Sequence, residues 1–244
     1  MLLHGRDAAK GETTLREIGA ETGTGRLALY LADFGSLSRV RALAQRITAE
    51  QTRLDVLVNN AGIGTGRGRN AQRELSEDGY ELRFAVNYLA PFLLARLLEP
   101  LLIGSAPARI VNVSSAGQAP IDFDDVMLDR NYNGVQAYCQ SKLALVMLTF
   151  DLAERFRERG VTANCLHPGT YMPTRMVRET GTRPVDSLES GVEATMRLIA
   201  DPELDGVTGS YFDRRREALA HPQAYDLEAR GRLRRLSVEL VGLD

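Results

Sequence analysis

The sequence predicts an α/β fold, a doubly wound parallel sheet in a single domain, and three observations predict it. Short runs of β-favouring residues alternate with stretches of helical periodicity along most of the chain. Residues able to carry chemistry cluster where the predicted strands end, which is where an open parallel sheet presents its ligand crevice. The stretch Ala137-Tyr138-Cys139-Gln140-Ser141-Lys142, inside a helical pattern, sets a phenol and an ammonium group one turn apart on one face.

Met1 to Gly5 is short and apolar and reads as a first strand running into a turn at Arg6-Asp7. Asp7 can cap a helix through Ile18, with Gly19 near its end. Leu27 to Leu31 is a second strand, closed by Asp33, and Ser36 opens a helix with Leu37, Val40, Leu43, Ala44 and Ile47 on one face. Leu54 to Asn59 is a third strand, followed by a glycine-rich loop to Arg69. The helical pattern from about Asp78 to Leu102 contains Pro91, expected to kink it, and Pro100 near its end.

Arg109 to Ser114 is a fourth strand, and after a loop to Gly134 a helix is expected from about Val135 to Arg159. Val161 to Leu166 is a fifth strand, ending at His167-Pro168-Gly169. A connection rich in Thr, Met and Arg, Thr170 to Pro184, leads to a helix around Leu188 to Ala200 and a short strand near Ser210-Tyr211-Phe212. The tail, with Leu227, Leu233, Leu236 and Leu240, reads as an amphipathic helix.

Bulk properties exclude several classes. The chain has 244 residues, 44% hydrophobic and 25% charged, an ordinary soluble composition. A net charge of -2 offers no electrostatic case for nucleic acid or an anionic membrane. Cys139 and Cys165 form no metal spacing and the three histidines add none, so no metal site is expected. The most apolar run, Leu89 to Ile103, is broken by Arg96, Glu99 and Pro100 and falls short of the ~20 residues of a membrane span. A reducing cytoplasm is the expected location.

A phenol titrates near ~10, and a cation beside it favours the phenolate. Bringing the pKa of Tyr138 to about 7 takes roughly 4 kcal/mol at ~1.36 kcal/mol per unit, which reaches the range of efficient acid–base catalysis. Asn59-Asn60-Ala61-Gly62 closes the third strand with small residues that let backbone approach a flat ligand, and an asparagine there can tie neighbouring strands. Ser114-Ser115 closes the fourth strand, where a hydroxyl can hold a substrate carbonyl near the phenol, and Pro168-Gly169 closes the fifth. Each piece alone also has a bland reading: a tyrosine beside a solvated lysine, an Asn/Gly turn, a serine pair ending a strand.

Together with Phe84-Ala85-Val86-Asn87, this order of pieces resembles the short-chain dehydrogenase/reductase family, in the style of its retinol-dehydrogenase-like members. The resemblance implies a Rossmann-like fold and a set of roles. Tyr138 is the implied acid or base, Lys142 lowers its pKa and holds the nicotinamide ribose, Ser115 orients the carbonyl, and Asn87 positions a water in a proton relay. Asn60, Ala61, Gly62, Pro168 and Gly169 are implied to line the cofactor, and Asp33 to meet adenine. Arg6 is implied to favour a 2′-phosphate, hence NADP(H) over NAD(H). Thr174 stands one residue later than the family's nicotinamide-contacting threonine. The helices bearing Asn87 and Tyr138 are the family's usual contact in a homodimer or homotetramer.

The pattern breaks at the start. The family's first strand and glycine-rich turn have no counterpart, and the run from Gly62 to Gly68 does not replace them, since Arg67 falls at the third fingerprint position. Either further residues precede Met1, or one of the first two strands slides over to pair with the third. The expected activity is hydride transfer between NADP(H) and a small, apolar carbonyl or alcohol. A sugar-nucleotide epimerase or dehydratase uses the same Tyr–Lys spacing, and a non-catalytic binding or scaffold protein without cofactor is the reading from a different class.

Overall fold

The computed structural model describes residues 1–66 and 71–243. The described elements run β1 (Leu2–Gly5), α1 (Ala8–Thr22), β2 (Ala28–Leu31), α2 (Leu37–Glu50) and β3 (Val56–Asn59). Helices α3 (Leu82–Phe84), α4 (Ala90–Leu97) and α5 (Glu99–Gly104), β4 (Ala108–Val113), α6 (Gly134–Arg155) and β5 (Val161–His167) follow. The chain continues with α7 (Arg175–Thr180), α8 (Leu188–Ala200), β6 (Tyr211–Asp213), β7 (Arg216–Ala218) and α9 (Leu227–Val241). The α/β alternation read from the sequence is the fold.

Two sheets form. β1 and β2 pair in parallel, from Leu2 opposite Ala28 to Gly5 opposite Leu31. A second sheet has the order β3-β4-β5-β6-β7, parallel except for the antiparallel β6–β7 pair. Among the described residues neither β1 nor β2 pairs with β3, so the expected sliding of an early strand does not occur. Within the β1–α1–β2 unit, Gly11 of α1 lies so close over β2 that a Cβ there would meet Leu29 at 2.7 Å. The predicted face of α2, Leu37, Val40, Leu43, Ala44 and Ile47, is buried in a core shared with Leu89, Leu93 and Leu98.

The long helical pattern expected from Asp78 is divided. Glu81 caps its start, its Oε2 accepting from the Phe84 amide at 2.7 Å. A π-helical segment, Ala85–Leu89, comes next, and Pro91 and Pro100 sit in the first turns of α4 and α5. Phe84, Leu89 and Ala90 are all right-handed helical, so the helix runs on through the π segment into α4 with Pro91, which has no N–H to donate, just past the wider turn, while Pro100 opens α5. The irregularity falls instead on the π segment, a feature frequent at functional sites, and that segment carries Asn87.

At the other boundaries the shifts are small. Asp7 caps α1 as expected, but the helix runs to Thr22 and ends at Gly23, whose φ of 65° is the left-handed cap conformation. α6 ends at Arg155 rather than Arg159. β7 was not foreseen, since Arg216-Glu217-Ala218 lacks apolar alternation. α9 packs on the main core through Leu233 and Val241, and its Ser237 hydroxyl meets the Tyr88 hydroxyl at 2.6 Å.

Candidate active site

The ends of β3, β4 and β5 and the first turns of α6 converge. Asn133 caps α6, its side chain accepting from the Val135 and Gln136 amides. Tyr138 and Lys142 then fall one turn apart, with the Lys142 Nζ 5.9 Å from the centre of the Tyr138 ring. Tyr138 is half-buried and Lys142 is 5% exposed. The Lys142 ammonium donates to the Val113 carbonyl at 2.8 Å, and the Ser114 hydroxyl donates to the Lys142 carbonyl at 2.9 Å. These two bonds fix α6 against the end of β4.

The electrostatics differ from the expectation that Lys142 brings the phenol down. Burial pushes the Tyr138 phenol above its ordinary value, and interaction with the Ser115 side chain only opposes that rise. Burial also lowers the Lys142 ammonium, to about 8. Desolvation disfavours the charged form of both groups, and in this arrangement it outweighs their mutual attraction. The neutral phenol is the resting form.

Ser115 is half-buried and braced on both sides. Its hydroxyl accepts from the Gly117 amide at 3.0 Å. Its carbonyl receives the Gln118 side-chain amide at 3.0 Å and the Tyr211 hydroxyl at 3.2 Å. Gln118 is held in turn by the His221 amide at 2.8 Å. Gly117 lets this turn lie against α6: a Cβ there would be 3.2 Å from the Cys139 Sγ and 3.7 Å from the Tyr138 ring. Tyr211, Gln118 and His221 were missed in the sequence, where nothing local marks a tyrosine 96 residues away as a brace for Ser115.

Asn87 is fully buried and locks the loop after β3. Its Oδ1 accepts from the Ile63 amide at 2.8 Å, while its Nδ2 donates to the Ile63 carbonyl at 3.0 Å and the Ser141 hydroxyl at 2.9 Å. Gly62 is pressed between Asn87 and Lys142, a Cβ there standing 3.1 Å from the Asn87 Oδ1 and 3.6 Å from the Lys142 Nζ. Asn60 and Ala61 are exposed at the mouth. The strand-tying asparagine is Asn59, whose Nδ2 donates to the Asn112 Oδ1 at 2.7 Å. Gly64 is held through its carbonyl by the buried Arg83, which also meets Tyr132 at 2.7 Å and Glu81 at 3.3 Å. Arg67, Gly68 and Arg69, the end of that glycine-rich loop, lie outside the described residues.

Pro168 and Gly169 are buried at the end of β5. The segment after them is clasped to β6: Asp186 accepts from the Thr170 amide at 2.6 Å and from Arg214 at 2.6 Å. Those contacts hold the Asp186 carboxyl below its ordinary value, the Thr170 amide contributing most. Met172 packs on Gly169 and Gly191, and Met176 on Gly64, where only a hydrogen leaves room. Tyr171 is 51% exposed, and Val177 is half-buried. Thr174 caps α7, accepting from the Val177 amide, which accounts for it structurally.

Arg6 and Asp33 stand at the ends of β1 and β2. Arg6 is exposed and makes no hydrogen bond to a described residue, while Asp33 is half-buried and accepts from the Gly35 amide at 2.8 Å. The turn between β1 and α1 is no phosphate cradle, because the Asp7 carboxylate occupies the helix N-terminus, accepting from the Lys10 amide at 3.1 Å. Among the described residues no group of three or more His, Cys, Asp or Glu could hold a metal, and no helix is long and apolar enough to cross a membrane.

Residues 1–184 match the short chain dehydrogenase family. Human retinol dehydrogenase 13 is 37% identical over 262 residues, an alignment covering 100% of this chain and 77% of that protein. Human retinol dehydrogenase 14 is 38% identical over 237 residues, 91% of this chain and 69% of that protein. Among solved structures, an uncharacterised Mycobacterium paratuberculosis protein superposes with a TM-score of 0.75 at 26% identity, covering 100% of this chain and 84% of the other. An Escherichia coli short chain dehydrogenase complexed with NADPH gives 0.69 at 26% identity, with 88% and 85% covered. With the tyrosine, lysine and serine gathered at one crevice and the likeness running through the whole chain, the protein belongs to the short-chain dehydrogenases and is an oxidoreductase of that family.

Proposed function

We propose that the protein reduces the carbonyl of an apolar small molecule with NADPH, or oxidises the matching alcohol with NADP. The observation that carries this reading is the placing of Ser115 and the neutral phenol of Tyr138 together at one strand end, with Lys142 behind them. The residues present fit the nicotinamide end of such a cofactor. Gly62 brings the loop close to Asn87 and Lys142 with no side chain of its own in the way, and among the described residues Lys142 has one acceptor, Val113, for its three donors. Lys142 and Tyr138 would hold the ribose, Asn60, Ala61, Gly62, Pro168 and Gly169 would line the ring, Asp33 would meet adenine, and Arg6 a 2′-phosphate. When bound, the dinucleotide supplies hydride chemistry.

The chain's own residues handle the proton. In reduction Tyr138 donates to the carbonyl oxygen, and Ser115 donates to the same oxygen and fixes its position. After reduction a water positioned near Asn87 would return a proton to Tyr138, and in oxidation the Tyr138 phenolate takes the alcohol proton and passes it out by the same route. The relatives named above are retinol dehydrogenases, and Met172, Met176 and Val177 beside the crevice suit an apolar substrate of that kind. Assembly into a dimer or tetramer through α4 and α6 belongs to the same reading.

One observation favours the non-catalytic alternative: among the described residues no glycine-rich turn leads from a strand into a helix N-terminus that could hold a pyrophosphate. NADPH fluorescence decides between them. Saturable binding, with Tyr138→Phe retaining binding and losing turnover by ~10²–10⁴, supports the reductase. A folded sample without saturable binding points to the scaffold reading.

A further inference from the structure

Away from the crevice, a second cavity of about 420 Å³ opens between α4, α6 and α9. The buried Phe92, Leu148 and Leu152 line part of it, together with four arginines, Arg96, Arg155, Arg159 and Arg234, and two acidic residues, Asp151 and Glu154. Asp151, also at its wall, lies thirteen residues along α6 from Tyr138, about 20 Å at the rise of a helix. The cavity is therefore separate from the active site.

Its charges do not cancel. Glu99 is shared by Arg155 at 2.7 Å and by Arg96 and Arg159 at 3.7 Å. Asp151 faces Arg230 at 3.0 Å and Arg234 at 3.6 Å, and Glu154 pairs with Arg230. Five guanidinium groups thus meet three carboxylates, leaving two positive charges in excess among the described residues. The guanidinium groups of Arg96, Arg159 and Arg234 make no hydrogen bond to any described residue, and their ion contacts exceed hydrogen-bond length. Burial lowers the Arg96 pKa, and the positive charges of Arg155 and Arg234 lower it further.

Three guanidinium forks on three segments, two of them half-exposed and none hydrogen-bonded to a described residue, offer donors from several directions around one space. That suits a tetrahedral oxyanion, which accepts on all sides, better than a planar carboxylate. We propose that this cavity binds a multivalent oxyanion of the phosphate-ester or pyrophosphate class, held by Arg96, Arg159 and Arg234. The bound anion supplies the missing negative charge and fastens α9 to α4 and α6.

Thermal unfolding of the full chain, with sodium pyrophosphate titrated against sodium chloride at matched ionic strength, tests this. Pyrophosphate should raise Tm with the logarithm of its concentration above Kd, by roughly 5–10 °C at a hundredfold excess, and chloride should not. The double variant Arg159→Gln/Arg234→Gln changes two half-exposed side chains, and it should keep the fold while weakening pyrophosphate binding at least ~10-fold by calorimetry. Arg53→Gln, an exposed arginine paired with Asp55, should leave the response intact. An unchanged response in the double variant, or an equal response to chloride, overturns the proposal. So does inert pyrophosphate combined with a double variant of altered mass in light scattering, which would assign the arginines to an acidic surface of a second copy.

Discussion

The Lys142 ammonium donates a 2.8 Å hydrogen bond to the Val113 carbonyl, joining the helix that carries the tyrosine to the strand that precedes the serine. One bond thereby ties together the two segments of the candidate active site. It is made by a cation that burial has brought to a pKa of about 8.

That lowered value has a consequence for stability. The folded pKa lies below the unfolded one, so between about 8 and 10.5 the unfolded chain binds more protons and stability rises with pH. The penalty is fully present below about 8. Relative to Lys142→Met, the wild type should gain roughly 3 kcal/mol between pH 7 and 10.5, at ~1.36 kcal/mol per unit. Urea unfolding of both proteins across that range measures it, and parallel curves would contradict it.

Because burial keeps Tyr138 protonated, the reduction rate should be level from pH 6 to 8. Above about 8 it should fall as Lys142 loses its charge. Alcohol oxidation, which needs the phenolate, should rise with pH through neutrality. The pH profiles of kcat/KM in the two directions report this. A reduction rate that climbs between pH 6 and 8 would make the phenolate the working form instead.

Tyr211→Phe removes one of two donors to the Ser115 carbonyl. The expected cost is about 1 kcal/mol of stability, with kcat reduced several-fold and KM little changed. Steady-state kinetics beside thermal unfolding separate the effects. An unaltered kcat would show that Gln118 alone holds the turn.

Among the described residues β1 pairs only with β2, and β3 only with β4. A two-stranded sheet is marginal by itself, and β1 is half-buried throughout. Amides before about Leu54 should therefore exchange faster than those from Leu54 to Leu166. Hydrogen exchange showing equal protection in both regions would mean that the two sheets unfold as one unit.

Local patterns settled much of this protein. Alternation and helical periodicity are properties of neighbouring residues, so the order of strands and helices, the buried face of α2 and the cap at Asp7 were legible. The spacing of Tyr138 and Lys142 was legible for the same reason, as were the small residues ending each strand. The tertiary structure decided what depends on distant segments. Among the described residues β1 and β2 stand as a sheet apart from the larger one, and the helix irregularity near Pro91 takes the form of a π segment around Asn87. Burial reversed the expected shift of the Tyr138 phenol, since desolvation depends on everything packed around a group and not on its neighbour one turn away. The brace from Tyr211 to Ser115 and the cavity joining Arg96, Arg159 and Arg234 arise only when residues a hundred positions apart are brought together.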